Sequence, residues 1–297
     1  VCRLADGTMQ TKVDELKLNR DRHPILRIPF LRGVPMFIDS MVQGMRALTY
    51  SASLLPEDEQ EKPSKFDLWL EKRFGSEKAE KAVIGFAAVL GVLLAVALFV
   101  LLPSLLFELL PENIHLIVRC ILEGLIRIVI FLAYMWLCTR LDDVKRLFAY
   151  HGAEHKTIFC YEKGLELTVE NVRKQSRFHP RCGTSFLVVI MIISIFVVSF
   201  MTWVLSLIPG IAALPHLAAA LVRVLAKLII LPFIVSITYE LNRWVGGHDE
   251  NIIARIVAWP GKQLQHITTS EPDDGMIECA IESVKLVIPE KKGSDTW

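Results

Sequence analysis

Two long uncharged stretches dominate the hydrophobic pattern of the chain. Val83–Leu110 carries no charged residue until Glu108, and Phe186–Ile208 carries none at all. Each stretch exceeds the roughly 20 residues that an α-helix needs to cross about 30 Å of hydrocarbon. Because both are continuously apolar rather than alternating, the pattern predicts transmembrane helices and excludes a membrane β-barrel, a soluble globular protein and a disordered chain.

Two further stretches, His115–Cys138 and Ile211–Tyr239, are apolar enough to predict spans although each contains charged residues. They follow the first two across short connections at Pro111–Ile114 and Pro209–Gly210. We therefore predict a mainly α-helical, polytopic membrane protein with four transmembrane helices arranged as two hairpins.

The remaining segments are more polar. The turn signals near the start predict short strands or a hairpin, and Ile277–Ile288 alternates enough to be a strand or a short helix. Apolar groups at helical spacing in residues 30–55 predict an amphipathic helix in the membrane interface, with an ordinary core helix as the alternative. The predicted organisation is a polar segment 1–29, an amphipathic helix 30–55, a charged linker and helix 56–82, hairpin 83–138, a loop 139–185, hairpin 186–239 and a C-terminal segment 240–297.

Charge and cysteine content bear on the membrane orientation, on nucleic-acid binding and on disulfide bonds. The two short connections lack Lys and Arg while the flanking segments are rich in them, so the positive-inside rule places both termini and the 139–185 loop in the cytoplasm. The net charge of +1 gives no field that attracts nucleic acid. No signal peptide is visible at the start, and the six cysteines form no CxxC pair and no disulfide framework.

Charged residues inside the expected spans call for an explanation. Arg119, Glu123 and Arg127 are spaced four apart and share one helix face, and the fourth span carries Arg223 and Lys227. A charge in hydrocarbon costs about 2.5–3.5 kcal/mol on insertion scales unless it is paired or hydrated. These residues predict either a polar cavity for an anionic head group or phosphate, or a structural ion pair with snorkelling side chains.

The loop between the hairpins contains His151-Gly152-Ala153-Glu154-His155, an H-x-x-E-H pattern. On a helix the two histidines share a face and can bind one divalent metal, most readily Zn²⁺. Glu154 is then a candidate general base or a group that orients a ligand. The alternative is a solvated helix face that bears two histidines.

A second cluster, His179-Pro180-Arg181-Cys182, lies just before the third span. His179 and Cys182 offer an imidazole and a thiolate, which would complete a four-ligand set, and Cys160 and Glu162 are reserve ligands. The alternative is a membrane-entry turn with a buried free thiol.

These motifs, together with LPFIVSITYELNRW and PGKQLQHITTSEP, resemble the YqhQ-like family of bacterial multipass membrane proteins. It is a family of unknown function whose members are often described as predicted metal-dependent enzymes. The resemblance runs from about Phe30 to about Ile281 and implies a bacterial cytoplasmic membrane protein. Members usually begin with a Gly-rich segment such as GGQAVIEGVMMR, so the resemblance also implies residues before Val1. Glu240 lies in a matching stretch and is a further candidate carboxylate ligand or base, or else a helix-end charge.

Two function classes follow. The first is a metal-dependent membrane hydrolase at the cytoplasmic face, in which Glu154 activates water and Arg181 stabilises an oxyanion. Its substrate would be a lipid, a lipid-linked phosphate or a membrane-emergent peptide. The second is a non-catalytic partner of another membrane machine, such as the protein secretion or insertion apparatus, with any metal structural. A transporter that uses the Arg119 face is a third possibility and would require a homo-oligomer.

Overall fold

The computed structural model describes residues 1–4, 6–16, 24–54, 72, 76–109, 114–248 and 250–289. The described part is mainly α-helical, with one short antiparallel hairpin in which β1 (Cys2–Arg3) pairs with β2 (Met9–Gln10). In chain order the helices are α1 (Gly33–Ala52), α2 (Ser76–Val96), α3 (Leu102–Glu108), α4 (Leu116–Cys138), α5 (Asp142–Glu162), α6 (Val169–Arg173), α7 (Gly183–Ser206), α8 (Pro209–Ala212), α9 (His216–Gly247), α10 (Ile252–Thr268) and α11 (Asp274–Lys285).

Within the described residues, three helices are long and apolar enough to cross a membrane: Gly85–Glu108, Gly183–Ser206 and Leu217–Gly247. They coincide with the first, third and fourth expected spans, which indicates a membrane protein. The second expected span forms the helix α4 but is not among the three. Its first half carries Arg119, Glu123 and Arg127.

Three element boundaries differ from the sequence expectation. The first span is interrupted by a π-helical turn, Ala97–Leu101, which joins α2 to α3. Pro209 and Gly210 do not form a bare turn, because they begin the short helix α8. The fourth span starts at His216, directly after Pro215, and continues to Gly247 rather than ending at Tyr239. Glu240 therefore lies inside a helix and not beyond its end.

The helix α7 is the centre of the bundle, packing against α4, α9 and α10. Phe131, Met191 and Leu264 form a buried apolar cluster where α4, α7 and α10 meet. The approach of α10 to α7 is closest at Gly261, where an added Cβ would lie 2.4 Å from the Cβ of Ser185. Only glycine permits this contact, which brings the end of α10 to the start of α7.

The polar segments pack together outside the candidate spans. The helices α5, α6 and α11 bury a shared core of Ala153, Cys160, Val172, Ile277 and Ile281. We refer to these three helices as the helical cap. Ile277 lies in α11, so this stretch is the short helix of the two alternatives and not a strand.

The expected amphipathic helix is present as α1, which packs against α9. The ring of Phe37 stacks on Phe186 at a centroid distance of 5.8 Å. The outer face of α1 exposes a run of apolar side chains: Ile38, Met41, Val42, Met45 and Leu48. That this face lies in the membrane interface remains a prediction. The expected linker at 56–65 and most of the connection at 111–114 lie outside the described residues.

Candidate metal centre

Two histidines one helical turn apart form the first half of the site. His151 and His155 lie on α5, and their ring centroids are 4.4 Å apart. The ring of His155 is buried, with 3% of the residue exposed, and His151 is half-buried. The predicted shared helix face is thus present, and it points inward rather than into solvent.

Cys182 offers a third possible ligand atom. It is the N-cap residue of α7, where its sulfur accepts a hydrogen bond from the backbone N–H of Thr184 at 3.4 Å. Its Sγ lies 3.2 Å from Nε2 of His151. One ligand atom each from His151, His155 and Cys182 falls within 4.8 Å of the other two. Of the two residues that could complete the site, Cys182 and His179, it is Cys182 that both histidines approach.

Backbone carbonyls fix the orientation of both imidazoles. Nδ1 of His151 lies 2.9 Å from the carbonyl oxygen of Thr268, and Nδ1 of His155 lies 2.6 Å from that of Arg177. A carbonyl only accepts, so in each ring Nδ1 carries a proton, and Nε2 is the nitrogen left for the thiol or for a metal. Histidine ligands of metals usually donate their second ring N–H in this way.

The backbone around His151 is held by an unusually close contact. An added Cβ at Gly152 would lie 2.1 Å from the carbonyl oxygen of Ser270. The backbone N–H of Ser270 donates to the carbonyl of Phe148 at 2.9 Å. Glycine at position 152 therefore allows α5 to lie against the segment that follows α10, which carries the Thr268 carbonyl.

The setting favours a thiolate beside the imidazoles. Burial alone would raise the pKa of Cys182, but hydrogen bonds from His151, His155 and Thr184 outweigh it and lower this pKa to about 5. Burial opposes protonation of His151, yet its contact with Cys182 and its bond to Thr268 raise its pKa above the usual value. These two shifts describe a thiolate that accepts a hydrogen bond from a protonated His151. A divalent metal would displace that proton, because metal binding needs a thiolate and neutral imidazoles.

His179 stands beside this group without joining it. Its ring centroid is 5.7 Å from that of His155, but both ring nitrogens have other partners. Nε2 lies 3.1 Å from Glu162, and Nδ1 accepts from the backbone N–H of Arg181 at 3.2 Å. Arg181 also binds the second oxygen of Glu162 at 3.1 Å. The hydrogen bond from His179 lowers the pKa of Glu162, and Arg181 adds to the effect.

The remaining candidates take different places. Glu154 is exposed and lies outside the three-residue group, although its charge contributes to the raised pKa of His151. Cys160 is fully buried in the core of the helical cap, 3.5 Å from the carbonyl of Glu166, and burial raises its pKa. Glu240 forms a two-pronged ion pair with Arg32, with N–O distances of 2.7 and 2.5 Å.

The charged residues of the spans form their own network. Glu123 is buried and accepts from Lys227 at 2.5 Å and from Arg127 at 3.4 Å. Lys227 also donates to Ser104 at 2.8 Å. Arg223 pairs with Glu108 at 2.5 Å.

The two arginines of α4 also find partners inside the bundle. Arg119 lies over the ring of Phe107 and donates to the backbone carbonyl of Phe107. Arg127 also donates to the hydroxyl of Ser194. The shared face of Arg119, Glu123 and Arg127 is thus directed into the bundle.

Comparison with known proteins identifies the family. The family described as "Protein of unknown function (DUF1385)" matches residues 28–290. The chain belongs to this family. It is also similar to the uncharacterized protein YqhQ of Bacillus subtilis (strain 168), with 33% identity over 295 residues that cover 95% of this chain and 83% of the relative. No solved structure matches the chain significantly. The YqhQ-like resemblance is therefore confirmed.

In this DUF1385 chain, sequence reasoning missed the residues that hold the segments around the three-residue group in place. Gln265 is fully buried and exchanges two hydrogen bonds of 2.8 Å with the backbone of His179. It also donates to Ser185 at 3.1 Å. Arg177 donates from Nη1 to the carbonyl of Thr269. The QHITTSEP motif that contains Gln265 was the available signal, since a polar residue at a helix position otherwise facing the core needs a partner.

Proposed function

We propose that this membrane protein is a metal-dependent hydrolase that holds a divalent ion, Zn²⁺, between His151, His155 and Cys182 at the cytoplasmic membrane face. The observation that supports the proposal is the convergence of three ligand atoms within 4.8 Å, with both imidazoles oriented through Nδ1 by backbone carbonyls. Three protein ligands leave one position of a tetrahedral ion open, as in catalytic zinc sites.

A divalent ion in such a site acts as a Lewis acid and activates water for hydrolysis. In this proposal Glu154, which is exposed beside the candidate ligands, would accept the proton of the attacking water and return it to the leaving group as the substrate bond breaks. Arg181 precedes the ligand Cys182 and stabilises negative charge on the substrate. Because Cys182 also begins the candidate span α7, the substrate is a lipid, a lipid-linked phosphate or a peptide at the membrane surface.

Cobalt substitution tests the open position without a known substrate. We expect the purified chain to bind one equivalent of Co²⁺, and acetohydroxamic acid to shift the visible bands by occupying the free position. His151→Ala should lose the ion, whereas Glu154→Gln should keep both the ion and the bands. A spectrum that does not respond to the hydroxamate, or a wild-type chain that binds no ion, would contradict the enzyme proposal.

A second candidate function is a non-catalytic partner of another membrane protein, such as the secretion or insertion machinery or a second copy of this chain. One observation favours it: the metal ligands are mostly buried and join α5, the start of α7 and the end of α10. A closed structural ion would serve that role. The cobalt spectrum separates the two functions, because a closed site has no position for the hydroxamate.

We also propose the four-span topology, with α4 as the second span and both termini in the cytoplasm. Support comes from the charges of α4, which find partners on α3, α7 and α9 inside the bundle. Alkaline phosphatase inserted at residues 207–215 should be active, and the same enzyme at the C-terminus should be inactive. The reverse pattern would overturn the orientation, and activity at both places would overturn the even number of spans.

A further inference from the structure

A small cavity lies between α3 and α9, at the opposite end of the bundle from the metal centre. Cys182 precedes the first residue of α7, whereas α9 begins after the connection that follows the last residue of α7. The cavity has a volume of about 180 Å³. Its walls carry two basic side chains, one acidic side chain and one hydroxyl among apolar groups: Arg223, Lys227, Glu108, Ser104, Leu101 and Leu105.

The charges of the spans are unbalanced. The four expected spans contain four basic residues (Arg119, Arg127, Arg223 and Lys227) and two acidic residues (Glu108 and Glu123). Each unpaired charge in hydrocarbon is costly unless a counter-charge or water compensates it. An anion near this network would offset the excess.

The two bases that line the cavity retain hydrogen-bonding capacity. Lys227 has 6% of its side chain exposed and uses two of its three donors on Glu123 and Ser104. In the described part of the chain, Arg223 uses one of its five donors, on Glu108. The two bases are four residues apart on α9 and therefore lie above each other on one face.

The cavity opens toward lipid. Leu105 lines it and is 65% exposed, and Leu221 beside it on α9 is 59% exposed. Arg223 lies about two helical turns from the start of α9, and its long side chain can extend the guanidinium toward the interface, where a lipid phosphate lies. We propose that this cavity binds the phosphate of an anionic phospholipid headgroup, between Arg223 and Lys227.

The test uses the full chain, purified in a nonionic detergent and titrated with dioleoylphosphatidylglycerol, dioleoylphosphatidylcholine or inorganic phosphate. Binding to the folded state raises the unfolding temperature, so the midpoint reports apparent affinity. We expect phosphatidylglycerol to raise the midpoint and the other two additives not to. Equal effects of both lipids would overturn the proposal, and an equal effect of inorganic phosphate would overturn the lipid as its source.

Two variants with opposite expected effects locate the site. Arg223→Gln removes one positive charge from the cavity and should weaken the apparent phosphatidylglycerol affinity about fivefold. Glu108→Gln removes the internal carboxylate that competes with the lipid phosphate for Arg223. This variant should therefore bind phosphatidylglycerol more tightly. The control Arg255→Gln removes an exposed positive charge on α10 and should leave the phosphatidylglycerol affinity unchanged.

If Arg223 and Glu108 formed only a structural ion pair, their two variants would not change the phosphatidylglycerol affinity in opposite directions. If Arg223→Gln and Arg255→Gln give the same affinity, the cavity is not the binding site. Should Arg223→Gln fail to fold, the proposal depends on Glu108→Gln, and an unchanged or weaker affinity in that variant would overturn it.

Discussion

Cys182 is held between two imidazoles and the Thr184 hydroxyl, and this setting controls the ionisation of its thiol. Hydrogen bonds that favour the thiolate outweigh the effect of burial and bring its pKa to about 5. A thiolate reacts with alkylating agents, and a neutral thiol does not. The ionisation of this one residue therefore determines its chemical reactivity and would determine the affinity of the proposed metal site.

We expect the rate at which iodoacetamide alkylates Cys182 in the metal-free protein to be nearly the same at about pH 6.5 and pH 8. The pKa is lowered, so the thiolate already predominates at the lower pH. Glutathione measured alongside should react about twentyfold faster at the higher pH, since an ordinary thiol has a pKa near 8.5. Peptide mass spectrometry gives the rate at Cys182, and added Zn²⁺ should suppress it.

His151→Ala serves as the matched variant for this measurement. It removes the hydrogen bond that contributes most to the lowered pKa of Cys182, so the alkylation rate should regain a pH dependence. A wild-type rate that rises as steeply as that of glutathione would show that the thiol is protonated at neutral pH.

At the scale of elements, the site depends on how closely α5 lies against the segment after α10. Gly152 is the residue at the point of contact, beside the carbonyl of Ser270. The same contact brings the Thr268 carbonyl to His151. A larger residue here has to push two backbones apart, because neither contacting group is a flexible side chain.

Gly152→Ala should lower the stability of the protein by about 1–3 kcal/mol, the usual cost of overpacking. It should also weaken metal binding, because the displaced helix loses the bond between His151 and Thr268. The control is Gly44→Ala in α1, where an added Cβ meets nothing within 4 Å. Unfolding midpoints and zinc titrations of both variants check the expectation, and equal behaviour of the two would contradict it.

The spacing of His151 and His155 is local information, so the sequence suffices to predict their shared helix face. The continuous apolar runs likewise predict the three candidate spans, whereas the second expected span is not among them. The choice between Cys182 and His179 as third ligand is not local. It depends on Glu162 and Gln265, which turn His179 away through bonds across 17 and 86 residues. The π-helical turn at Ala97–Leu101 and the extension of α9 to Gly247 likewise result from tertiary packing, for which the sequence has no periodic signal.

At the scale of the whole molecule, the candidate metal centre joins the helical cap to the candidate spans. His151 and His155 belong to the cap, while Cys182 starts α7 and Thr268 ends α10. The candidate spans have a separate source of stability, which is the burial of apolar surface in lipid and does not titrate.

Chelation at neutral pH should therefore loosen the cap and leave the spans intact. We expect limited proteolysis to cut residues 139–185 faster when a chelator is present. The same should occur below roughly pH 6, where protons compete with the metal for the imidazoles. Fragments within residues 186–239 should not appear. Equal cleavage rates with and without chelator would show that no metal orders this region.

The pairing of Glu123 with Lys227 has a consequence for biosynthesis. The two residues are separated by 104 positions, so α4 leaves the ribosome well before Lys227, the residue that neutralises Glu123. Until then Arg127 on the same helix is its nearest countercharge. In the four-span topology, α4 is therefore stably inserted in the bilayer only after α9 has been inserted beside it. A nascent chain stopped before residue 216 should leave Cys120 on α4 open to a membrane-impermeant maleimide, and the completed chain, in which Cys120 is buried, should not.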